Sequence, residues 1–263
     1  MSTLRQKIEN REKLCGTLVS LTDPCLCEIM GNAGFDFIWI DTEHTYMSYK
    51  EVLCHLNAAR SSGAAAVVRV PQNDLTFTKK IFEMDVDGII FPMVRTAEEA
   101  EELMNMTLYP PLGTRGFGPM RAIRYGADDA AEYTEKRSRD LCRFIQIEHI
   151  ECVENLEEIV KNPYIDGFIF GPNDLSLSLG GIGEKTKSET EAAIRKAVAV
   201  LKKHGKYIGI SVGHNEDVVK YWSQFPVDLF VSGSDWTFVY SEAERTRRLL
   251  ESYHVLKGAK DDE

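Results

Sequence analysis

No stretch of the sequence approaches the roughly 18 consecutive apolar residues of a membrane span. The opening MSTLRQKIENREKL is charged and helical in character, with no apolar core of a secretory signal. Neither a membrane nor an export route is therefore expected, and the cytoplasm is the default location. Basic residues are also in short supply: 31 Lys and Arg against 41 Asp and Glu leave a formal charge of −10. Nucleic acid is disfavoured as a partner, because phosphate binding needs a basic surface. Part of the acidic excess is local, in TAEEAEEL and the terminal DDE, which read as solvated surface. The six cysteines (15, 25, 27, 54, 142 and 152) form no paired pattern, and Cys25-Leu26-Cys27 lacks the second pair that a zinc site needs. They are expected to be reduced, buried, small hydrophobes. Internal repeats, low-complexity tracts and linkers are missing too, so residues 1–263 are expected to form a single domain.

What the chain does contain is alternation. Short β-branched or aromatic runs at Gly16–Ser20, Phe37–Asp41, Ala66–Val70, Gly88–Phe91, Cys142–Ile147, Gly167–Phe170, Tyr207–Ser211 and Asp228–Val231 read as strands covered on both faces. Helical patterns separate them, among them Tyr49–Arg60, Leu75–Met84, Asp129–Arg139, Cys152–Val160, Glu189–His204 and Glu242–Leu256. Eight strands alternating with helices predict an α/β fold, a modified TIM (β/α)8 barrel, for which about 250 residues is typical. The longest irregular segment, Tyr109–Gly126 (YPPLGTRGFGPMRAIRYG), is long enough to be functional or interfacial.

In such a barrel, catalysis belongs at the C-terminal ends of the strands. Reading those positions gives Asp41, Glu43 and His44 after the second strand and Arg69 at the end of the third. Gln146, Glu148 and His149 follow from the fifth, and Gly171, Pro172, Asn173 and Asp174 after the sixth. Glu148 and Asp174 end consecutive parallel strands, which lie about 5 Å apart. Two carboxylates that close call for a shared proton or a cation, and Mg2+ or Mn2+ is the natural occupant. The alternative is that each carboxylate caps a helix or pairs with a surface cation. Gly171 and Pro172 allow a tight turn into a helix whose first amides suit a substrate carboxylate; a plain turn and cap is the other reading. Arg69 either makes a structural ion pair or faces a negative oxygen. His44 is either a general base or a loop hydrogen-bonder.

Lysine is missing from these strand ends. Lys79, Lys80, Lys161, Lys202 and Lys203 fall in helical stretches and Lys206 precedes its strand. Schiff-base chemistry is thereby disfavoured, and metal-stabilised enolate chemistry stays open.

The segments GFDFIWIDTEH, VVRVPQND, DGIIFPMV, YPPLGTRGFGPMRA, QIE and GPNDLSLSLG resemble, in order and spacing, the HpcH/HpaI aldolases, from about Gly16 to Leu250. The resemblance implies a class II pyruvate aldolase dependent on a divalent ion (Mg2+ or Mn2+, with Co2+ a further candidate). Such enzymes reversibly cleave 4-hydroxy-2-oxo acids to pyruvate, or a related 2-oxo acid, and an aldehyde. It further implies that Glu148 and Asp174 hold the metal, that His44 accepts the proton, directly or through water on the ion, and that Arg69 stabilises the transition state. Gln146 and the Gly171–Asp174 turn match substrate-binding positions. Hexamers formed by exchanged C-terminal helices are a family trait, so a homo-oligomer is expected.

One departure stands out. Where the family carries an aspartate that supports the histidine, followed by a glycine two positions on, this chain has Glu83-Met84-Asp85. Glu83 either still reaches His44 or leaves the dyad altered. Two alternatives accompany the aldolase reading: a lyase of the citrate-lyase β-subunit type acting on a CoA thioester, and a barrel that binds a keto acid without turnover.

Overall fold

The computed structural model describes residues 3–253. Eight parallel strands close on one another in chain order: β1 (Leu14–Val19), β2 (Phe37–Asp41), β3 (Ala65–Arg69), β4 (Gly88–Phe91), β5 (Cys142–Ile147), β6 (Gly167–Phe170), β7 (Tyr207–Val212) and β8 (Leu229–Ser234). The helices are α1 (Leu4–Glu9), α2 (Cys25–Asn32), α3 (Tyr49–Ser61), α4 (Leu75–Glu83), α5 (Ala97–Thr107), α6 (Ala130–Glu135), α7 (Ile150–Glu154), α8 (Leu156–Ile159), α9 (Pro172–Ser178), α10 (Glu184–Lys203), α11 (Glu216–Trp222) and α12 (Asp235–Ser252). This is the expected (β/α)8 barrel. Among the described residues, no helix is long and apolar enough to cross a membrane.

The two-residue period of each strand sorts side chains between two cores. On β2, Ile38 and Ile40 join the shell between barrel and helices, while Phe37 and Trp39 enter the barrel with Val67, Ile90, Phe144, Ile169 and Val231. Leu4 and Ile8 of α1 close the inner core from below. Gly16 is needed beside Phe37, because a Cβ there would lie 2.1 Å from the Phe37 ring. Helix starts follow the side chains: Ser48 with Glu51 and Thr96 with Glu99 form capping boxes for α3 and α5.

Several boundaries depart from the sequence pattern. The Asp129–Arg139 helix breaks at Lys136 (φ −123°, ψ −70°) into α6 and a 3-10 turn, Arg137–Asp140. The Cys152–Val160 pattern starts two residues earlier and divides at Asn155. Helix α12 begins at Asp235 rather than Glu242, since Ser234 and Thr237 cap it ahead of the aromatic run WTFVY; residues 254–256 of the expected helix lie outside those described. Two of the cysteines expected to be buried, Cys15 and Cys25, are exposed.

The Tyr109–Gly126 segment joins the end of α5 to the approach to β5. It therefore lies at the N-terminal end of the barrel, opposite the strand ends where chemistry was expected. Arg115 pins it there: the buried guanidinium lies 4.5 Å from the Tyr109 ring centroid and 4.9 Å from that of Phe82.

Candidate active site

Four residues from three strands form a continuous polar line across the barrel mouth. Asp41 ends β2, in register with Arg69 on β3. Its carboxylate grips one edge of the guanidinium, accepting from Nε at 2.9 Å and from Nη2 at 2.8 Å. That leaves Nη1, which donates to Gln146 Oε1 at 3.3 Å and lies 3.1 Å from Glu43 Oε2. Gln146 in turn donates from Nε2 to Glu148 Oε1 at 2.6 Å. Gln146 is engaged at both ends, so here it bridges Arg69 and Glu148. Every member of the line is at most 5% exposed. A bidentate arginine–carboxylate pair of this kind fixes geometry as well as charge.

Glu148 is the most perturbed of the group. Burial pushes its carboxyl up to about 7, aided by repulsion from Glu43 and Asp174 and opposed by Arg69 and the Met93 N–H. Met93 donates to Glu148 Oε2 at 3.2 Å from a left-handed backbone (φ 54°). For a non-glycine residue such a conformation is uncommon and gathers at functional sites. Glu43 is also raised, first by burial and then by Asp41 and Asp174, with Arg69 and His44 pulling the other way. Its Oε2 has no hydrogen-bond partner with acceptable geometry. Gly171 leaves space for this cluster, because a Cβ there would meet Glu148 Cγ at 2.9 Å.

Asp174 sits exposed in the first turn of α9. The first hydrogen bond of that turn runs from Leu175 N–H to Gly171 C=O. The amides of Asn173 and Asp174 therefore have no acceptor within the helix. Pro172 at the first helical position lacks an N–H to orphan. The donor set facing the mouth is oxygen only, anionic and partly buried, which fits a hard divalent ion. Among the described residues no group of three or more His, Cys, Asp or Glu is arranged as a metal cage. Glu148 and Asp174 would thus act with non-protein oxygens.

His44 stands at the rim with its side chain 65% exposed, and its Nε2 lies 3.7 Å from Glu43 Oε2. The structure does not bring Glu83 to it. Helix α4 carries Glu83 away from the mouth toward the start of β4. There Arg115 Nη2 lies 3.3 Å from its Oε1, and the other oxygen is buried without a partner. Of the two alternatives for Glu83, one chain by itself supplies no reach to His44: a helix antiparallel to its strands ends at the opposite face. Asp85, where the family has glycine, holds φ 63° and is secured by Arg60 Nη1 at 2.9 Å. Arg115 and the Met93 amide were not singled out from sequence. The first was one of several arginines in a loop, and the second is a backbone atom.

The pattern of the HpcH/HpaI aldolase/citrate lyase family matches residues 15–229. A hydroxypyruvate/pyruvate aldolase of Roseobacter denitrificans is 32% identical over 210 residues, covering 80% of this chain and 82% of the relative. A 4-hydroxy-2-oxo-heptane-1,7-dioate aldolase of Shigella sonnei is 32% identical over 229 residues, 87% of each chain. Among solved structures, a HpcH/HpaI aldolase from Desulfitobacterium hafniense superposes with a TM-score of 0.87 at 25% identity, covering 99% of this chain and 100% of its own.

Proposed function

The chain belongs to the HpcH/HpaI aldolase/citrate lyase family, and from that premise we propose that it cleaves 4-hydroxy-2-oxo acids reversibly into pyruvate, or a related 2-oxo acid, and an aldehyde. The observation that carries this reading is the line Asp41–Arg69–Gln146–Glu148, which holds one guanidinium nitrogen 3.9 Å from a buried carboxylate at the barrel mouth.

Loss of the C4 hydroxyl proton lets the electrons of the C3–C4 bond pass into the C2 carbonyl, releasing the aldehyde and leaving an enolate. Arg69 Nη1 is the donor not committed to Asp41, and in this reading it meets the keto oxygen as charge gathers there. In this reading His44 takes the hydroxyl proton, and Glu43, 3.7 Å away, stabilises the imidazolium. The free amides of Asn173 and Asp174 suit the carboxylate of the 2-oxo acid. A divalent ion on Glu148 and Asp174 would supply Lewis-acid stabilisation of the enolate charge. The oxygen donors favour Mg2+ or Mn2+, and Co2+ is tested beside them.

A coupled assay for pyruvate across a set of 4-hydroxy-2-oxo acids tests the reading. Release is expected to vanish with EDTA and to return on adding Mg2+, Mn2+ or Co2+. Chelator-insensitive cleavage, or a lysine adduct trapped by borohydride, would overturn it.

The opposite placement of His44 and Glu83 also bears on assembly. If Glu83 supports His44, a neighbouring copy must bring it, so the active unit is a homo-oligomer with its insertion loop against the next mouth. His44→Ala and Glu83→Gln proteins are each expected to be impaired. Unfolded and reassembled together, they should regain up to about a quarter of the native rate, because random mixing restores that share of composite sites in a closed oligomer. A mixture no more active than the mean of its parents would show that the two residues do not serve one site.

A further inference from the structure

We infer that Trp39 is a positioning residue for this reaction: its indole is the floor that keeps the Arg69 guanidinium aimed at the substrate oxygen. The inference rests on the reading of Arg69 given above.

Trp39 lies on β2 between Phe37 below and Asp41 above, all three turned into the barrel, and it is wholly buried. Its partner in register is Val67, two residues before Arg69 on β3. The guanidinium therefore folds back over the indole, with Cζ 5.2 Å from the ring centroid. That is within the range of a cation–π contact, and tryptophan is the strongest aromatic partner for one.

Asp41 alone does not fix the aim of Arg69. Its two hydrogen bonds run along one edge of the guanidinium, through Nε and Nη2. A planar group held along one edge still pivots about that edge, and the swing would carry Nη1 away from Gln146 and down toward the apolar interior. The indole face fills the space below and blocks that swing. A small side chain at this position would open a gap beneath the cation, and the arginine would settle into it.

The polar edge of the indole gives no competing reason for a tryptophan here. Among the described residues, Trp39 Nε1 is buried without an acceptor. Burying an N–H unpaired is unfavourable, and leucine or phenylalanine would fill the barrel without that penalty. What the larger ring supplies is its π face beneath a desolvated cation.

The test compares Trp39→Phe with Trp39→Leu. The ring-bearing variant is expected to keep at least about a third of the native kcat. The leucine variant should lose about 10- to 30-fold in kcat with KM within about twofold, as fits an interaction that matters in the transition state. A second readout removes the other two tryptophans by Trp222→Phe and Trp236→Phe, leaving Trp39 as the sole emitter. Pyruvate is expected to shift that emission, and Arg69→Lys to abolish the shift. Equal losses in the two Trp39 variants, or emission indifferent to pyruvate, would overturn the inference. If the leucine protein fails to fold, the phenylalanine variant and the emission titration decide. Arg69→Ala is run alongside. If it retains aldol cleavage, the reading of Arg69 itself is wrong; if it is inactive while Trp39→Leu is unimpaired, only the role of Trp39 falls.

Discussion

Replacing Glu148 by glutamine is expected to lower aldol cleavage by about 10³-fold or more while raising the Tm of the metal-free protein at pH 8. The first effect is what the proposed role of Glu148, as one of two ligands to a Lewis-acid ion, requires. The second follows from proton linkage. Burial holds the Glu148 carboxyl near 7, above its ordinary 4.5, so the native state binds a proton more tightly than the unfolded chain does. Its contribution to stability is complete below about pH 4.5 and is lost as pH rises through 7, a loss on the order of 3 kcal/mol. Glutamine never ionises and escapes that loss, although Met93 N–H forfeits an acceptor at about 1 kcal/mol. Melts of both proteins with EDTA should converge near pH 4.5 and separate above pH 7. A divalent ion should then raise the wild-type Tm at pH 8 and leave the variant unchanged. A wild-type protein that is the more stable of the two at pH 8 without metal would refute this account of Glu148.

Arg69 carries the second large effect. Arg69→Lys keeps a charge but cannot grip both oxygens of Asp41 while also reaching Gln146. It is expected to cost about 10²- to 10³-fold in kcat, the scale of losing one preorganised donor at a developing oxyanion. Arg69→Ala goes further, because Asp41 is then a buried carboxylate with its cation removed. Destabilisation of about 3–5 kcal/mol is expected, as for other buried pairs broken from one side. Chemical denaturation paired with steady-state kinetics separates the two: the lysine protein should fold nearly normally and turn over poorly. A lysine protein with native kcat would remove Arg69 from the reaction.

The barrel and its mouth were legible because strand ends advertise themselves. In FDFIWIDTEH and RFIQIEH, buried runs give way abruptly to charge, and β2, β4, β5 and β6 fall on the boundaries that the pattern indicates. Pairings were harder to read. Asp41, Arg69, Gln146 and Glu148 were each visible as candidates, yet only the β2–β3 register puts Asp41 beside Arg69, and only packing shows Gln146 bonded at both ends. Whether Glu83 reaches His44 was left open by the motif, because proximity in a family motif is not proximity in one chain. The direction of α4 was available from the topology and argues against it. Trp39 read as the end of a core strand, and its contact with a cation depends on where a neighbouring side chain folds back.

The line of four polar residues also divides the labour of the protein. Asp41, Arg69, Gln146 and Glu148 are rooted in three strands of a closed sheet, and each is braced by its neighbour. Such a truss has little freedom to adapt to the shape of an incoming molecule. Discrimination among aldehydes is then expected of the solvent-exposed loops of the rim, beyond His44 and Asn173. New substrate preferences would be accessible by altering those loops alone, with the reaction centre inherited intact.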